Sequence, residues 1–525
     1  MRMHRLLPLA LLTLLLVAAP SAYAARGFSS GVAAGEVASK SAVLWGKANK
    51  SGGYSLDVAT NRRFRHFKPH FVVAKKSRDN TVQLRVKRLK PNTRYWFRFV
   101  GNHGERSDVG TFMTAPKPSQ SKTIKFGWSG DQDFNSQPGQ SNPYWNDGGV
   151  LRRMKSERNA FNVMLGDTIY SDSEVPDRLN PIALSVRQKW AKYKINLGNR
   201  SLRALRGSTG FYSQWDDHEF VNDFSPAENS FDNGVNVNGH TLYRRGMKAF
   251  RDYAPVHWTS RSGLYRKFRW GKNLEVFFLD ERSFRSANAD EGGVCNNPQT
   301  GSPDLAPTAP QTTRALFAAV TPSLAEPVSQ ACLDRINSPD RTFLGKRQLS
   351  RFLRDVKRST ARFKVIMNEM PIQQYYILPY DRWEGFEAER KQILRSLQSV
   401  NNVIFLTTDV HATLINDARF KTLEQGGPEN SGIFDVTVGP VATANFGLEI
   451  DGTTGQQGSA ALVDAAFLTP PAPGGIGMQC SVLDKFSYGQ VTVTKSRLTV
   501  TPKDIDGNQI SDNGQPCGVV LNFKP

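Results

Sequence analysis

The chain has 525 residues, is 39% hydrophobic and 10% aromatic, and carries 68 Lys and Arg against 47 Asp and Glu, a formal charge of +21. That length and apolar content exclude a disordered chain and leave room for two or more domains with cores of their own. Four cysteines in such a length exclude a disulfide-dense miniature scaffold, while the excess of cations draws anions such as phosphate esters, nucleic acid or an acidic cell surface.

In chain order, Arg2 and Arg5 precede the apolar run Leu6 to Ala19, and Ala22-Tyr23-Ala24 places small residues at cleavage spacing. Residues 1–24 therefore read as a signal peptide, removed on export, which lowers the charge to +19. A membrane anchor is the weaker reading, because the run falls short of the ~20 residues that cross a bilayer. Residues 27–115 read as an all-β sandwich of the immunoglobulin or fibronectin kind, with short alternating strands such as "SAVLWGKA", "TVQLRVKRL" and "RYWFRFVG" between turn residues. The stretch "APKPSQSK" then supplies a linker over residues 116–122.

From 123 to 525 the pattern changes. The stretches "TIKFGWSG", "AFNVMLGD", "STGFYSQWDDHE", "NLEVFFLDERSF", "RFKVIMNEM" and "NNVIFLTTDVHA" are short apolar strands that each run into polar or acidic residues. Helical stretches such as "GKRQLSRFLRDVKRS" and "AERKQILRSLQSV" lie between several of them, so this half reads as α/β, with the polar strand tips converging on one crevice. Residues 285–342, rich in Pro, Gly, Ala and Thr, read as a surface insertion or lid, and "FSYGQVTVTKSRLTVTPKDIDG" as a closing hairpin that completes a sheet. Cys295, Cys332, Cys480 and Cys517 have no C-x-x-C spacing and, in an exported chain, form two disulfides. Their order favours Cys295–Cys332 and Cys480–Cys517, with the other two connectivities open.

Asp131 in "SGDQD", Asp167 in "GDTIY", Asp217 in "WDDHE" and Asp409 in "DVH" bring several carboxylates to those tips, with His218 and His411 among them. Taken singly, each aspartate is a common turn or cap residue. Together they would repel one another unless cations neutralised them, and two metal ions sharing a carboxylate are the simplest remedy.

The pieces "GDTIY", "WDDHEFVND", "LDERSFR", "TFLGKRQ", "WEGFEAER", "DVHA" and "VGPVATANFG", in that order, resemble the alkaline phosphatase D (PhoD-type) branch of the calcineurin-like metallophosphoesterases. The resemblance covers nearly the whole chain after residue 24 and implies a four-layer α/β/β/α catalytic domain. It implies Asp167 as the carboxylate bridging two metals, Tyr170 as a tyrosinate ligand, and His411 with Asp131 completing the first metal's set. Asp217 and Asp409 would hold the second metal with Asn368, or with Glu369 in its place. The donor types then imply ferric iron with calcium or another divalent ion. His218 is expected to protonate the leaving oxygen or bind the phosphoryl group, and Arg282 to grip two phosphate oxygens. The chain departs from the branch at Asp131, where a cysteine is common, at Thr168, where an aromatic is usual, and at Thr408, where a glycine is usual.

The function read from these residues is an exported phosphatase or phosphodiesterase in which a metal-bound hydroxide attacks phosphorus. Its substrate would be a phosphate mono- or diester, extending to polymeric or surface-bound diesters such as nucleic acid, a cell-wall polymer or a phospholipid head group. A monomer without a stable protein partner is expected. The rival readings are an exported binding or adhesion protein with an inactive phosphoesterase fold, and a protein whose acids hold calcium for structure alone.

Overall fold

In the computed structural model the described residues are 27–176, 182–232, 235–258, 263–319, 321–471 and 474–525. The segment read as a signal peptide lies outside them.

The apolar runs expected as strands are strands. Ile124–Ser129, Phe161–Leu165 and Gly210–Gln214 pair in parallel. Leu274–Phe278, Phe363–Met367 and Val403–Thr407 do so in a second sheet. Parallel strands are covered on both faces, which is why these runs are almost continuously apolar. Their alternate residues point to opposite sides. Phe126, Trp128, Val163 and Leu165 of the first sheet meet Val276, Phe278, Val365 and Leu406 of the second in one shared core. On the outer side of the first sheet, Met164 and Phe211 pack with residues of helices Gly149–Ser156, Arg200–Arg206 and Gly239–Tyr253. On the outer side of the second, Phe277, Ile366 and Phe405 pack with helices Lys346–Lys357 and Glu387–Leu397. The order is thus helices, sheet, sheet, helices. Trp128 ties the two sheets by donating from Nε1 to the Thr407 carbonyl at 3.0 Å.

The N-terminal strands divide between two sheets. Phe67–Ala74, Gly52–Ala59, Arg94–Gly101 and Gly110–Met113 form a four-stranded sheet in that order. Val32–Gly35, Ser41–Lys47 and Thr81–Lys87 instead extend the catalytic half's first sheet, Val32–Gly35 lying parallel to Gly210–Gln214 with Ala34 opposite Gly210. The N-terminal segment therefore shares a sheet with the rest rather than standing apart. Trp45 Nε1 donates to the Asp252 carbonyl at 2.7 Å, and Arg266 pairs with Glu36 at 3.3 Å across the same junction.

At the far side, Ser487–Val493 pairs antiparallel with both Ile124–Ser129 and Arg497–Asp504, so the closing hairpin does complete a sheet. Both favoured disulfides are formed. Cys295–Cys332 staples residues 285–342, which carry helices Gln311–Phe317 and Gln330–Asn337. Cys480–Cys517 links strand Cys480–Val482 of the second sheet to the chain just before Val519–Asn522 of the first. Among the described residues, no helix is long and apolar enough to cross a membrane.

Candidate metal centre

The six central strands named above deliver their C-terminal ends to one side, and there the chain turns sharply. Asp131, Asp167, Asp409 and His411 adopt φ of 63°, 45°, 69° and 58°. Side-chain-bearing residues rarely occupy this region, and when they do the strain is commonly held at a functional site. The glycine of "GDTIY" has its own reason: at Gly166, φ is 88° and a Cβ would come within 2.7 Å of the Asp216 Cβ.

These turns gather the acids. Ligand-capable atoms of Asp131, Asp167 and His411 lie within 4.8 Å of one another, as do those of Asp167, Asp217 and His218. Two further groups, Asp216 with Asp217 and Asp409, and Asp217 with Asp223 and Asp381, continue the cluster. Asp167 belongs to two groups and Asp217 to three, the placing a bridging carboxylate requires. Tyr170, fully buried, puts its Oη 2.9 Å from His411 Nε2 and so joins the first group.

The electrostatics ask for cations. Both oxygens of Asp131 and Oδ1 of Asp217 are buried without a hydrogen-bond partner. A buried carboxylate left that way is costly. Burial pushes the Asp131 carboxyl up to about 7 despite His411 opposing it, and burial followed by Asp217 pushes Asp167 well above the usual carboxylate range. Carboxylate, imidazole and phenol donors suit hard, highly charged ions, so these residues fit a multinuclear metal centre.

Both histidines are oriented by acids the sequence reading missed. His218 holds Asp172 Oδ1 at 2.6 Å through Nδ1, stacks 3.9 Å from the Tyr170 ring, and donates its backbone N–H to Asp167 Oδ1 at 3.2 Å. Burial opposes its protonation, but Asp172, Asp217 and Asp167 outweigh burial and raise it well above the usual imidazole range. His411 Nδ1 lies 2.5 Å from Glu449 Oε1. Asp172 stands two residues after Tyr170 in the same turn, whereas Glu449 comes from helix Phe446–Thr454 and leaves no mark near "DVHA".

Arg282, expected to grip phosphate, is held by acids of the site. It is fully buried, with Nε 2.5 Å from Asp216 Oδ1 and its two terminal nitrogens 2.7 and 2.8 Å from the oxygens of Asp381. The fork expected to hold phosphate is occupied by a carboxylate, because the surrounding acids need a buried counter-charge. Asn368 is also engaged, its Oδ1 accepting from Trp383 Nε1 at 3.1 Å and its Nδ2 donating to the Met370 carbonyl. Glu369 is in none of the four groups; burial, then Glu281 and Asp216, push its carboxyl well above the usual range.

Residues 139–500 match the family model described as PhoD-like phosphatase, and residues 16–116 match that family's N-terminal domain. The chain belongs to the PhoD-like phosphatase family. It is 26% identical over 436 residues to alkaline phosphatase D of Bacillus subtilis (strain 168), a match spanning 75% of this chain but only 66% of that protein. Among solved structures, one titled as the structure of PhoD superposes with a TM-score of 0.70 at 18% identity, covering 95% of this chain and 90% of the other. A purple acid phosphatase from yellow lupin (Lupinus luteus) seeds superposes with a TM-score of 0.54 at 11% identity, covering 94% and 73%. Those two likenesses speak for the fold. Membership of the PhoD-like phosphatases, with the acid and histidine groups above, supports a metal-dependent phosphoric ester hydrolase.

Proposed function

We propose that the chain is an exported phosphatase or phosphodiesterase that hydrolyses phosphate esters at a dinuclear or larger centre. The observation that carries this reading is Asp167, at positive φ, shared by two ligand groups. Asp131, Tyr170 and His411 would hold a ferric ion with Asp167; Asp217 and Asp409 would hold calcium or another divalent ion with Asn368, or with Glu369 in its place. When bound, the metals polarise the phosphoryl group and make water a competent nucleophile, the hydroxide route of this chemistry.

The protein's own groups do the rest. Asp172 fixes His218 through Nδ1, which leaves Nε2 to hold a proton for the departing oxygen. Glu449 fixes His411 in the same manner, orienting the ligand. Arg282 neutralises Asp216 and Asp381 at close range and reaches Asp217 only at 3.5 Å, so that Asp217 is the least engaged of the three acids.

The domain plan that fits is an immunoglobulin-like N-terminal unit at 27–115, a linker at 116–122 and a catalytic unit at 123–525 with an insertion at 285–342. Three strands facing four in the N-terminal segment support the first part. Two disulfides support export, since they persist in oxidising compartments. The test is hydrolysis of 4-nitrophenyl phosphate and bis(4-nitrophenyl) phosphate by the purified protein, before and after chelation and after adding back iron and calcium. Chelator-sensitive, metal-restored hydrolysis is expected; a metal-replete protein that hydrolyses neither ester would leave the binding-protein reading.

A further inference from the structure

The metal centre opens into a cavity of about 760 Å³ whose lining includes Asp167, Asp217, His218, Asp409 and His411. Much of its remaining wall is apolar. Leu305 and Phe317 come from the insertion, Ile377 from the loop after Met370, and Ile450, Leu462 and Phe467 from helices Phe446–Thr454 and Ser459–Leu468. Ile450 and Phe467 belong to a hydrophobic cluster that also brings Tyr375 and Phe446 to the lining.

The polar part of the lining carries the wrong charge for a polyanion. Glu228, Asp290 and Glu291 are acidic and stand apart from the proposed ligands. No lysine lines the cavity among the described residues, Arg314 is held by Asp304 at 2.6 Å, and Arg382 donates to the Ile377 carbonyl. The two arginines of the lining are thus already engaged, and a second phosphate beside the reacting one would meet carboxylates. An apolar chain would instead displace water from a wall that offers it few hydrogen bonds.

Resting on the function proposed above, we propose that the substrate is a phosphate ester whose alcohol carries a long apolar chain, seated between the insertion and the two helices. The apolar wall selects it and the metal centre takes its phosphoryl group.

The test compares methyl, butyl and octyl 4-nitrophenyl phosphates below their aggregation limits, with the leaving group held constant. Calorimetric titration of the metal-loaded protein with methyl- and octylphosphonate gives a readout independent of turnover. Burial of two methylenes already supplies about tenfold in affinity, so the octyl compounds should exceed the methyl ones by at least tenfold in kcat/KM and in affinity. Leu462→Asp and Leu378→Asp, at partly exposed positions of the lining, should each collapse the octyl-to-methyl ratio. Equal affinity for the two phosphonates overturns the inference. Chain-dependent affinity with no hydrolysis of any ester overturns the proposed function and leaves the apolar site standing.

Discussion

His218 Nδ1 and Asp172 Oδ1 lie 2.6 Å apart, with the His218 ring stacked on Tyr170. This fixes which imidazole nitrogen can face the phosphoryl group. Replacing His218 with Ala should lower turnover by ~10²–10⁴-fold, the scale of a lost general acid, and Asp172→Asn by ~10–100-fold, the scale of a lost orienting partner. Metal analysis of both variants decides the role: retained metal fits proton transfer, and lost metal makes His218 a ligand.

Tyr170 is buried, and its burial together with Asp167 and Asp131 pushes the phenol well above its usual range. Only a strongly Lewis-acidic cation would draw it on as phenolate. Protein loaded with ferric iron should therefore be coloured, lose the band on reduction, and never show it as Tyr170→Phe. A colourless, iron-free protein with full activity would leave Tyr170 as packing.

Arg282 offers a sharp contrast between structural and substrate-binding roles. A phosphate clamp changed to Ala raises KM and leaves the fold intact. A buried counter-ion changed to Ala exposes Asp216 and Asp381 to each other and costs about 3–5 kcal/mol of stability. Denaturant unfolding of Arg282→Ala should show the larger, structural loss.

Lys189, which is not itself a proposed ligand, gives a pH prediction. Its ammonium is fully buried, donating to Ser171 Oγ and the Phe220 carbonyl at 2.7 Å each, and burial lowers it to about 7. Between that value and the ordinary lysine range near ~10.4, the unfolded chain binds more protons than the folded one, so stability rises with pH. The contribution is complete above the unfolded value and is lost as pH falls through about 7. Unfolding free energies measured from pH 7 to 10 should climb more steeply for the native protein than for Lys189→Met.

The two disulfides each close a sequence separation of 37 residues. Thiol titration of the unfolded, unreduced protein should find no free sulfhydryl, and Cys480→Ala with Cys517→Ala should cost ~2–4 kcal/mol.

What was legible in the sequence was local. The runs before "GDTIY" and "DVHA" announced strands because strands covered on both faces must be apolar, and the acids just beyond them announced a site because nothing else explains so many at strand tips. Glu449 was illegible: 38 residues separate it from His411, and only the docking of a helix brings them together. The partner of Arg282 was illegible for the same reason, since a motif shows that an arginine is near the site but not that Asp381, 99 residues on, bonds it. The sharing of the N-terminal strands between two sheets was likewise invisible, because alternation gives a strand's faces and not its neighbours.

That last feature bears on how the molecule can be cut. A chain started after the linker would lose Val32–Gly35 and everything beyond it in the sheet, baring the edge of Gly210–Gln214 at Gly210, where Ala34 now pairs. Such a raw border recruits other chains, and with it goes the Trp45 tether to Asp252. The N-terminal segment thus serves as a selvedge that keeps the enzyme's first sheet from fraying into aggregates.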